Sequence, residues 1–421
     1  MKEKIFLHLP AYRDPELIPT IKDALTQAQY PNRLIFGICH QFNPDDKFDD
    51  LTEYAKNKQF KIDRIPYKEA KGLPYARQRI NDMITDEDYV LQLDSHHRFA
   101  KNWDSTLVKY HQMVETKKCK PILTGYLPSY SPFNDPAGRT QEPWQQQLAC
   151  FYPHGTIFIR PGLLQGWQNM KTPVHSRFIS GHFAFARTQW AKEIKHDPNI
   201  YFSGEELNLT VRSFTHGYDL FHIPEVVIWH STMREERSGM LLWDDQSKRG
   251  ENWYLHQQKA WKRIRTLLRT EENSDVDLTG YDLGKARKLH DYELYAGVNF
   301  KRKAVQKYTI ENGFPPNPPS KNEEEWNNSL FTSFYHCINF DKSVFKQNDY
   351  DFWVVALDDK DGAAVQREDL NENQIKEIMA RPGTHVGMER FFLTEKKPVK
   401  WVIWAHSKSK EWAERIEGQI P

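Results

Sequence analysis

YVLQLDSHHRF, residues 89–99, is the stretch of sequence that decides the fold. Its first five residues are apolar or aromatic except for one glutamine. This composition is typical of a short strand that is buried on both faces, and the polar residues begin at Asp94. Ligands of open α/β sheets bind beyond the carboxyl ends of the strands. We therefore expect a buried strand over residues 89–93, with a functional site that begins at Asp94.

The segments around this strand alternate between two kinds of pattern. Apolar, β-rich runs predict strands over residues 5–9, 34–39, 60–65, 122–126, 156–159, 182–186 and 226–229. Helical patterns lie between several of them, over residues 14–29, 47–58, 74–84 and 205–216. Such alternation is typical of an α/β domain built on a largely parallel sheet.

The composition excludes two classes of protein. The chain has 421 residues and a formal net charge of +1, with 58 Lys and Arg against 57 Asp and Glu. A chain with this charge balance has no overall positive electrostatic field that would attract phosphate-rich partners, so we expect no nucleic-acid binding. The mean hydropathy of −0.77, with no apolar run near the ~18 residues of a membrane span, argues against a membrane-spanning protein.

Cysteine spacing and the first residues predict the compartment. The four cysteines show no paired spacing, and the opening MKEKIFLHL lacks the long apolar core of a secretory signal. We therefore expect reduced cysteines and a cytoplasmic location. Aromatic residues make up 13% of the chain, and we attribute them mainly to core packing, although sugar-binding clefts also use aromatic faces.

A proline-rich stretch divides the chain into two predicted domains. NGFPPNPPS, residues 312–320, carries four prolines, which forbid a regular helix and favour a stiff, extended linker. We expect a catalytic domain over residues 1–311. Residues 321–421 combine short strand patterns with one helical pattern, and predict a small β-rich accessory domain.

The strongest chemical signal is the DxH pair directly after the central strand. Residues two apart in a strand face the same side, so Asp94 and His96 can converge on one cation, while Ser95 faces away. A carboxylate oxygen with an imidazole nitrogen suits Mn²⁺ better than Ca²⁺, whose sites are all oxygen. The alternative is that Asp94 only caps a turn and His96 is an ordinary surface histidine.

A second histidine stands at the end of another predicted strand. Residues 226–229 read VVIW and lead directly to His230. If this strand runs parallel to its neighbours, His230 reaches the same edge of the sheet as Asp94. Two histidines and one carboxylate would leave coordination positions open for phosphate oxygens.

An acidic pair and an arginine complete the candidate site. In FSGEE, residues 202–206, Glu205 and Glu206 follow a glycine at a predicted helix start, where the helix dipole favours negative charge. Their functional interpretation is contact with sugar hydroxyls. Arg77 and Arg79 precede the central strand on one helix, and we expect Arg77 to hold a phosphate and Arg79 to be structural.

Six motifs occur in a familiar order. They are AYRDP (11–15), the glycine-then-ARxR segment (72–79), LQLDSHHRF (91–99), FSGEE (202–206), THGYDLF (215–221) and WH (229–230). Over roughly residues 1–240 the sequence resembles the UDP-GlcNAc-dependent polypeptide N-acetylglucosaminyltransferases of the Skp1 hydroxyproline type and their bacterial relatives. It is similar, more distantly, to the mucin-type polypeptide GalNAc-transferases, which share the DxH motif.

This resemblance implies a GT-A fold and a retaining transfer from a UDP-sugar, with an α-linked product. It implies that Asp94, His96 and His230 hold Mn²⁺, or Mg²⁺, against the diphosphate. The remaining expected site residues fall into two sets: donor contacts at Tyr12, Arg13, Arg77, Ser95 and Trp229, and catalytic residues at Arg77, Glu205 and Glu206. Residues after 320 lie outside the motifs.

Several functions remain open at this point. The acceptor can be a protein hydroxyl or a growing glycan. Alternatively, the protein is a glycosyltransferase of cell-surface polysaccharide synthesis that uses another UDP-hexose as its donor. Different classes are a metal-dependent phosphoesterase and a non-catalytic carbohydrate-binding protein. Basic helices around residues 259–269 and 301–303 can reach an anionic membrane surface or be solvated faces, and the oligomeric state stays open.

The segment after His230 also has two interpretations. Residues 231–252 mix charges with glycines and Trp243, which suits a lid that orders over bound donor. The alternative is an ordinary surface loop. We place Trp229 and Trp243 first among the aromatic residues expected near the sugar.

Overall fold

The computed structural model describes residues 3–232, 240–250, 252–272 and 275–421. The chain forms two compact units. The first comprises Met1–Leu148, His154–Lys301 and Tyr308–Pro319, and the second comprises Ala149–Pro153, Arg302–Lys307 and Ser320–Pro421. The proline-rich stretch at 312–320 ends where the chain enters the second unit for the last time, and the predicted domain limits stay a proposal.

The strands of the first unit lie mostly before residue 231. They are β1 (Ile5–Tyr12), β2 (Leu34–Phe42), β3 (Phe60–Pro66), β4 (Tyr89–Leu93), β5 (His97–Phe99), β6 (Lys120–Thr124), β7 (Trp144–Phe151), β8 (Ile157–Leu163), β9 (Val174–His175), β10 (Phe183–Arg187), β11 (Tyr218–His222), β12 (Ile228–His230) and β13 (Val298–Asn299). Of these, β7 continues into the second unit.

Eleven helices accompany the strands in the described residues. They are α1 (Leu17–Gln27), α2 (Leu73–Asn81), α3 (Trp103–Val114), α4 (Thr188–Glu193), α5 (Glu205–Thr215), α6 (Gln246–Arg249), α7 (Trp253–Leu267), α8 (Leu289–Ala296), α9 (Lys307–Ile310), α10 (Glu323–Asn328) and α11 (Glu372–Ala380). Crossing a bilayer takes about 20 apolar residues. Within the described ranges, none of these helices combines the length and the hydropathy needed for that.

One mixed sheet organises the first unit. Its strand order is β3-β2-β1-β4-β10-β6-β11-β9. Strands β1 to β4 are mutually parallel, β10 runs antiparallel to both β4 and β6, and β11 is parallel to β6. The α/β class predicted from the sequence is confirmed, with a central antiparallel strand that the sequence pattern did not reveal.

Strand β4 occupies the middle of this sheet, between two apolar layers. Leu91 belongs to the layer that includes Trp103 and Phe185, whereas Val90 belongs to the layer that includes Phe6 and Trp190. All five residues of β4 are buried. Because β4 is held on both faces, the residue that follows it, Asp94, starts from a rigid position.

Two sequence predictions differ from the structure in this unit. Residues 47–58 were expected to form a helix, yet they contain only a short turn at Tyr54–Lys56. This segment is dominated by polar residues, and its buried Asp49 lies 2.9 Å from Nε2 of His40 in β2 instead of extending a helix. The strand predicted at 156–159 is part of β8, which pairs with β7 outside the main sheet.

The second unit is rich in β-structure, as predicted. Its strands are β14 (Ala304–Gln306), β15 (Leu330–Asp341), β16 (Tyr350–Asp358), β17 (Ala364–Asn371), β18 (His385–Thr394), β19 (Lys400–Ser407) and β20 (Glu411–Gln419). Strand β15 pairs with β14 and β18, and a second sheet has the order β17-β16-β19-β20. Trp353, Val355 and Ile403 are fully buried in the core of this unit.

Candidate active site

Asp94, His96 and His230 converge at the carboxyl end of β4. Strand β12 pairs with β5 so that His230 lies opposite His97, one residue beyond His96. Nε2 of His230 lies 3.4 Å and Nε2 of His96 lies 3.9 Å from Oδ2 of Asp94, and one ligand atom from each residue lies within 4.8 Å of the others. Ligands sit about 2 Å from a transition metal, so ligand atoms on one ion are about 3–4 Å apart. These three side chains therefore fit around one cation.

The charge on Asp94 suits that interpretation. Burial by itself would raise the pKa of this carboxyl, but hydrogen bonding to His230 and the positive charge of Arg77 outweigh burial and hold the pKa well below its usual value. Nη2 of Arg77 donates to Oδ1 of Asp94 at 2.8 Å, which leaves Oδ2 facing the two histidines. Asp94 is thus an anion that one arginine orients from behind.

Asp14, which the sequence analysis missed, orients the DSH turn. Its Oδ2 accepts hydrogen bonds from Ser95 Oγ at 2.6 Å and from His96 Nδ1 at 2.7 Å. Because a carboxylate only accepts, Nδ1 of His96 donates in this bond, and Nε2 is the ring nitrogen that faces Asp94. Carboxylates that hold a metal-binding histidine in this way raise its basicity. Ser95 is buried and bonded to Asp14, and its expected contact with the donor stays a prediction.

His97 links the two segments that carry the candidate metal ligands. Its Nε2 accepts from the backbone N–H of Asp94 at 3.1 Å, and its Nδ1 donates to the carbonyl of Trp229 at 3.0 Å. The ring is fully buried, and burial is the main cause that holds its pKa well below the usual value. The neutral His97 side chain therefore links the backbone of Asp94 to the backbone of Trp229 through two hydrogen bonds.

A further histidine packs on His230. The ring of His182 stacks on it with centroids 4.3 Å apart and planes 8° apart. Nε2 of His182 accepts from the backbone N–H of Leu127 at 3.1 Å. Burial lowers the pKa of His182 well below its usual value, so it packs as a neutral ring that limits rotation of His230.

Arg77 lies behind Asp94 and does not face an open cleft. Its side chain has no exposed surface, and its guanidinium reaches the carbonyls of Leu93 and Gly181 as well as Asp94. Nε of Arg77 lies 2.9 Å from Oε1 of Glu205. In this structure Arg77 contacts Asp94 and Glu205, and its expected direct contact with a phosphate stays a prediction. Arg79 pairs with Asp63, in agreement with its predicted structural role.

The acidic pair begins α5 at the same end of the sheet. Glu206 Oε1 accepts from the backbone N–H of Gly181 at 2.7 Å. Burial raises the pKa of Glu205 to about 7, against the opposing charge of Arg77, and burial also raises the pKa of Glu206. Gly204 has φ of 103°, and a Cβ there would lie 2.7 Å from Ile264 Cγ1, so glycine is required where the chain enters this helix.

Tyr12 and Arg13, expected near the uridine, are joined to Asp245. Nη1 of Arg13 donates to Asp245 Oδ2 at 2.7 Å, and the Tyr12 hydroxyl donates to the same oxygen at 3.1 Å. Nε of Arg13 donates to Asp46 Oδ2 at 2.7 Å. Asp245 belongs to the segment that the sequence predicted as a lid; residues 233–239 and 251 of that segment lie outside the described residues. The lid stays a prediction.

The two tryptophans expected near the sugar have different surroundings. Nε1 of Trp229 donates to the carbonyl of Thr140 at 2.6 Å, and the guanidinium of Arg139 lies 4.8 Å from its ring. The Trp229 indole thus packs against residues 139–140, and its expected contact with the donor stays a prediction. Trp243 packs edge-on against Phe202 of the FSGEE motif, with centroids 5.4 Å apart.

The family described as glycosyltransferase (GlcNAc) matches residues 4–51 and 46–302, which is more than half of the chain. The chain belongs to this glycosyltransferase family. The match spans the whole candidate site, and with the mixed sheet it confirms the predicted GT-A fold class and the prediction of a glycosyltransferase. No curated protein matches the chain.

Similarity of this glycosyltransferase to solved structures is remote. GalNAc-T7 with UDP, GalNAc and Mn²⁺ is 15% identical with a TM-score of 0.45, over 69% of this chain and 54% of that one, so the chain spans about half of GalNAc-T7. The mannosyltransferase PcManGT of Pyrobaculum calidifontis with GDP-Man and Mn²⁺ is 10% identical, with a TM-score of 0.38 over 63% of this chain and 71% of that one. TarS of S. aureus is 10% identical, with a TM-score of 0.38 over 99% of this chain and 77% of that one.

Proposed function

We propose that the protein is a metal-dependent, retaining glycosyltransferase that moves GlcNAc from UDP-GlcNAc to a hydroxyl of a protein or glycan acceptor, with α-linkage. The observation that carries the proposal is the convergence of Asp94, His96 and His230 within 4.8 Å in a chain of a glycosyltransferase family. The description of that family and the six sequence motifs support GlcNAc as the proposed donor sugar. A cytoplasmic, Skp1-type protein acceptor is the specific form of this proposal, and another UDP-hexose is its alternative.

The donor set fits a transition-metal ion. One carboxylate oxygen and two imidazole nitrogens suit Mn²⁺, and they are fewer than the ligands such an ion accepts, so positions remain for phosphate oxygens. A cation held by Asp94, His96 and His230 would supply positive charge against the negative charge that develops on a departing diphosphate. The hydrogen bond from His96 Nδ1 to Asp14 turns Nε2 toward Asp94, which suits this role.

The surrounding residues of the protein position these ligands. Arg77 holds Asp94 as an anion, and Asp14 and His97 fix the turn that carries His96. Such pre-organisation matters because a charge-stabilising group is effective only when it needs no reorganisation during the reaction.

Glu205 and Glu206 are the proposed acidic residues on the side of the transferred sugar. Retention of configuration needs either a carboxylate beneath the anomeric carbon or attack by the acceptor on the face that the leaving group occupies. With a pKa of about 7, Glu205 exchanges a proton near neutral pH, which suits a group that hydrogen-bonds to sugar hydroxyls. Tyr12 and Arg13, with Asp245, are the proposed surroundings of the uridine.

A release assay tests this function. UDP formation is followed with UDP-GlcNAc, UDP-GalNAc, UDP-Glc and UDP-Gal, each with Mn²⁺ and with EDTA, and the anomeric configuration of the product is read by NMR. We expect Mn²⁺-dependent release that is fastest with UDP-GlcNAc. Equal, metal-independent background for all four donors would contradict the proposal, and release of inorganic phosphate without sugar transfer would favour a phosphoesterase.

A further inference from the structure

An aromatic cluster lies on the outer face of the sheet β17-β16-β19-β20 in the second unit. Phe352, His406 and Trp412 stand side by side on three adjacent strands, because Phe352 pairs with His406 and His406 pairs with Trp412. Trp404 occupies the next row of the same face, opposite Arg415. The four rings, called here the aromatic face, form one continuous patch.

The rings of the aromatic face are held in fixed orientations. Phe352 and His406 stack with centroids 4.6 Å apart and planes 13° apart, and Trp412 stands at 86° to both. Trp412 lies 4.2 Å from Trp404, centroid to centroid. Nδ1 of His406 lies 2.7 Å from Oδ1 of Asp351, which anchors the imidazole. These contacts reduce the rotamer entropy that a ligand would otherwise have to remove.

The outer position of these rings is unusual for such large apolar groups. The residues that alternate with them along β16 and β19, Trp353, Ile403 and Ala405, are fully buried and form the core. Trp412, by contrast, is 46% exposed. A core that is already complete does not require a second aromatic layer on the opposite face, so the patch is suited to contact with another molecule.

The charges around the aromatic face decide what kind of molecule fits. Arg367 pairs with Asp369 at 2.9 Å and Arg415 pairs with Glu417 at 3.3 Å, and both pairs project from the same face as the rings. Lys400 shares Glu417 with Arg415, at 3.6 Å, so charges of both signs lie beside the rings, which suits a neutral molecule better than a polyanion or an anionic membrane. The face offers both donors and acceptors at its rim.

A neutral glycan matches this combination of features. A pyranose ring presents C–H groups on its faces and hydroxyls at its edge, so it can stack on an aromatic ring and still hydrogen-bond to a polar rim. We propose that the aromatic face binds neutral oligosaccharides or polysaccharides built of pyranose units, and that the second unit is a glycan-binding module. This inference goes beyond the proposed transfer reaction and does not depend on the metal-binding residues.

The test uses the full-length protein and Trp412→Ala. Affinity electrophoresis in gels that contain hydroxyethyl cellulose, galactomannan or dextran measures binding to polysaccharides, and tryptophan fluorescence measures binding of chitopentaose. We expect at least one of these probes to bind, and Trp412→Ala to weaken its binding about tenfold or more, since one stacking contact is worth roughly a factor of ten. Trp412→Phe should retain most of the affinity because a ring remains.

Three controls separate this proposal from its alternatives. Tyr335→Ala removes a similarly exposed ring (39%) from the other sheet of the second unit and should leave glycan affinity unchanged. Asp94→Ala should abolish sugar transfer and leave glycan affinity unchanged, so the two proposals can fail separately. Thermal unfolding checks that each variant is folded.

Three results would overturn the proposal. The first is an absence of binding to every probe in the panel. The second is unchanged binding by Trp412→Ala, which would leave the rings with a purely cross-strand, stabilising role. The third is a wild-type dimer in sedimentation that Trp412→Ala dissociates without any glycan binding, which would assign the aromatic face to self-association.

Discussion

Arg77 donates from Nη2 to Oδ1 of Asp94 at 2.8 Å, and the arginine side chain has no exposed surface. The same guanidinium reaches Glu205, so one buried cation links a proposed metal ligand with a proposed catalytic carboxylate. A buried arginine that loses a partner leaves an uncompensated charge, which is strongly unfavourable. The positions of Asp94 and Glu205 are therefore coupled through Arg77.

Replacement of Arg77 tests this coupling. Arg77→Lys keeps the charge but cannot reach two carboxylates and two carbonyls at once, so we expect kcat for UDP release to fall by about 10-fold to 100-fold, the usual effect of losing an outer partner of a metal ligand. Arg79→Lys, on the same helix and paired with Asp63, is the matched control and should stay within a few-fold of wild type. Equal losses in the two variants would contradict a special role for Arg77.

Metal removal tests the three proposed ligands directly. Mn²⁺ with UDP should raise the melting temperature of the wild type, because a ligand that binds only the folded state stabilises it. Asp94→Ala and His230→Ala should lose this shift, and EDTA should reverse it in the wild type. His290→Ala replaces an exposed histidine of α8, and its melting temperature should rise with Mn²⁺ and UDP as much as that of the wild type. An undiminished shift in Asp94→Ala would argue against the metal site.

Asp14 is a positioning residue, and its replacement should act on metal affinity. Asp14→Asn retains the shape of the side chain but removes the negative charge that accepts from His96 Nδ1 and Ser95 Oγ. Loss of such an outer partner typically costs about 10-fold to 100-fold in metal affinity or activity. We expect the Mn²⁺ concentration for half-maximal activity to rise by that factor, with kcat largely recovered at saturating Mn²⁺.

Ser95→Ala is a milder variant than Asp14→Asn. It removes one of the two hydrogen bonds and leaves the contact between Asp14 and His96 intact, so it should change the Mn²⁺ requirement only a few-fold. A large loss of kcat in Asp14→Asn that saturating Mn²⁺ does not restore would instead indicate a direct role of Asp14 in the reaction.

The sequence predicted the central strand because the limits of a buried strand depend on a short-range pattern. Strand β4 has the predicted bounds, since an apolar run ending at Asp94 leaves little freedom for its limits. His230 reaches Asp94 and His96 by a different route from the parallel strand that the sequence suggested, because β12 pairs antiparallel with β5 outside the main sheet. The family match agrees with the order of the six motifs, which indicated a glycosyltransferase.

The surroundings of these ligands could not be predicted in the same way. Asp14 and His96 are 82 residues apart, and His97 meets the carbonyl of Trp229 across 132 residues. Such contacts depend on how distant segments pack, and no local pattern encodes them. Arg77 was placed on the correct helix, but its direction depends on the carbonyl of Gly181, 104 residues away.

Acid sensitivity at His222 gives the last prediction. His222 ends β11 and is 4% exposed. Burial lowers its pKa from 6.5 to about 3, the positive charge of Arg177 acts in the same direction, and a hydrogen bond with the Thr124 backbone opposes them. The unfolded chain binds a proton below pH 6.5 whereas the folded protein does not, so the contribution of neutral His222 is fully present above pH 6.5 and is lost progressively toward pH 3. Between pH 6.5 and pH 5 this linkage amounts to about 2 kcal/mol.

Urea unfolding of the wild type and of His222→Gln at pH 7.5 and pH 5.0 measures that loss. Glutamine does not titrate, and the other buried histidines contribute equally to both proteins, so the comparison isolates His222. The variant is expected to be the less stable protein at pH 7.5, because its amide replaces a ring packed in the sheet. By pH 5.0 the wild type should have lost about 2 kcal/mol more than the variant. A difference in unfolding free energy that stays constant between the two pH values would mean that His222 takes up its proton in the folded protein as readily as in the unfolded chain.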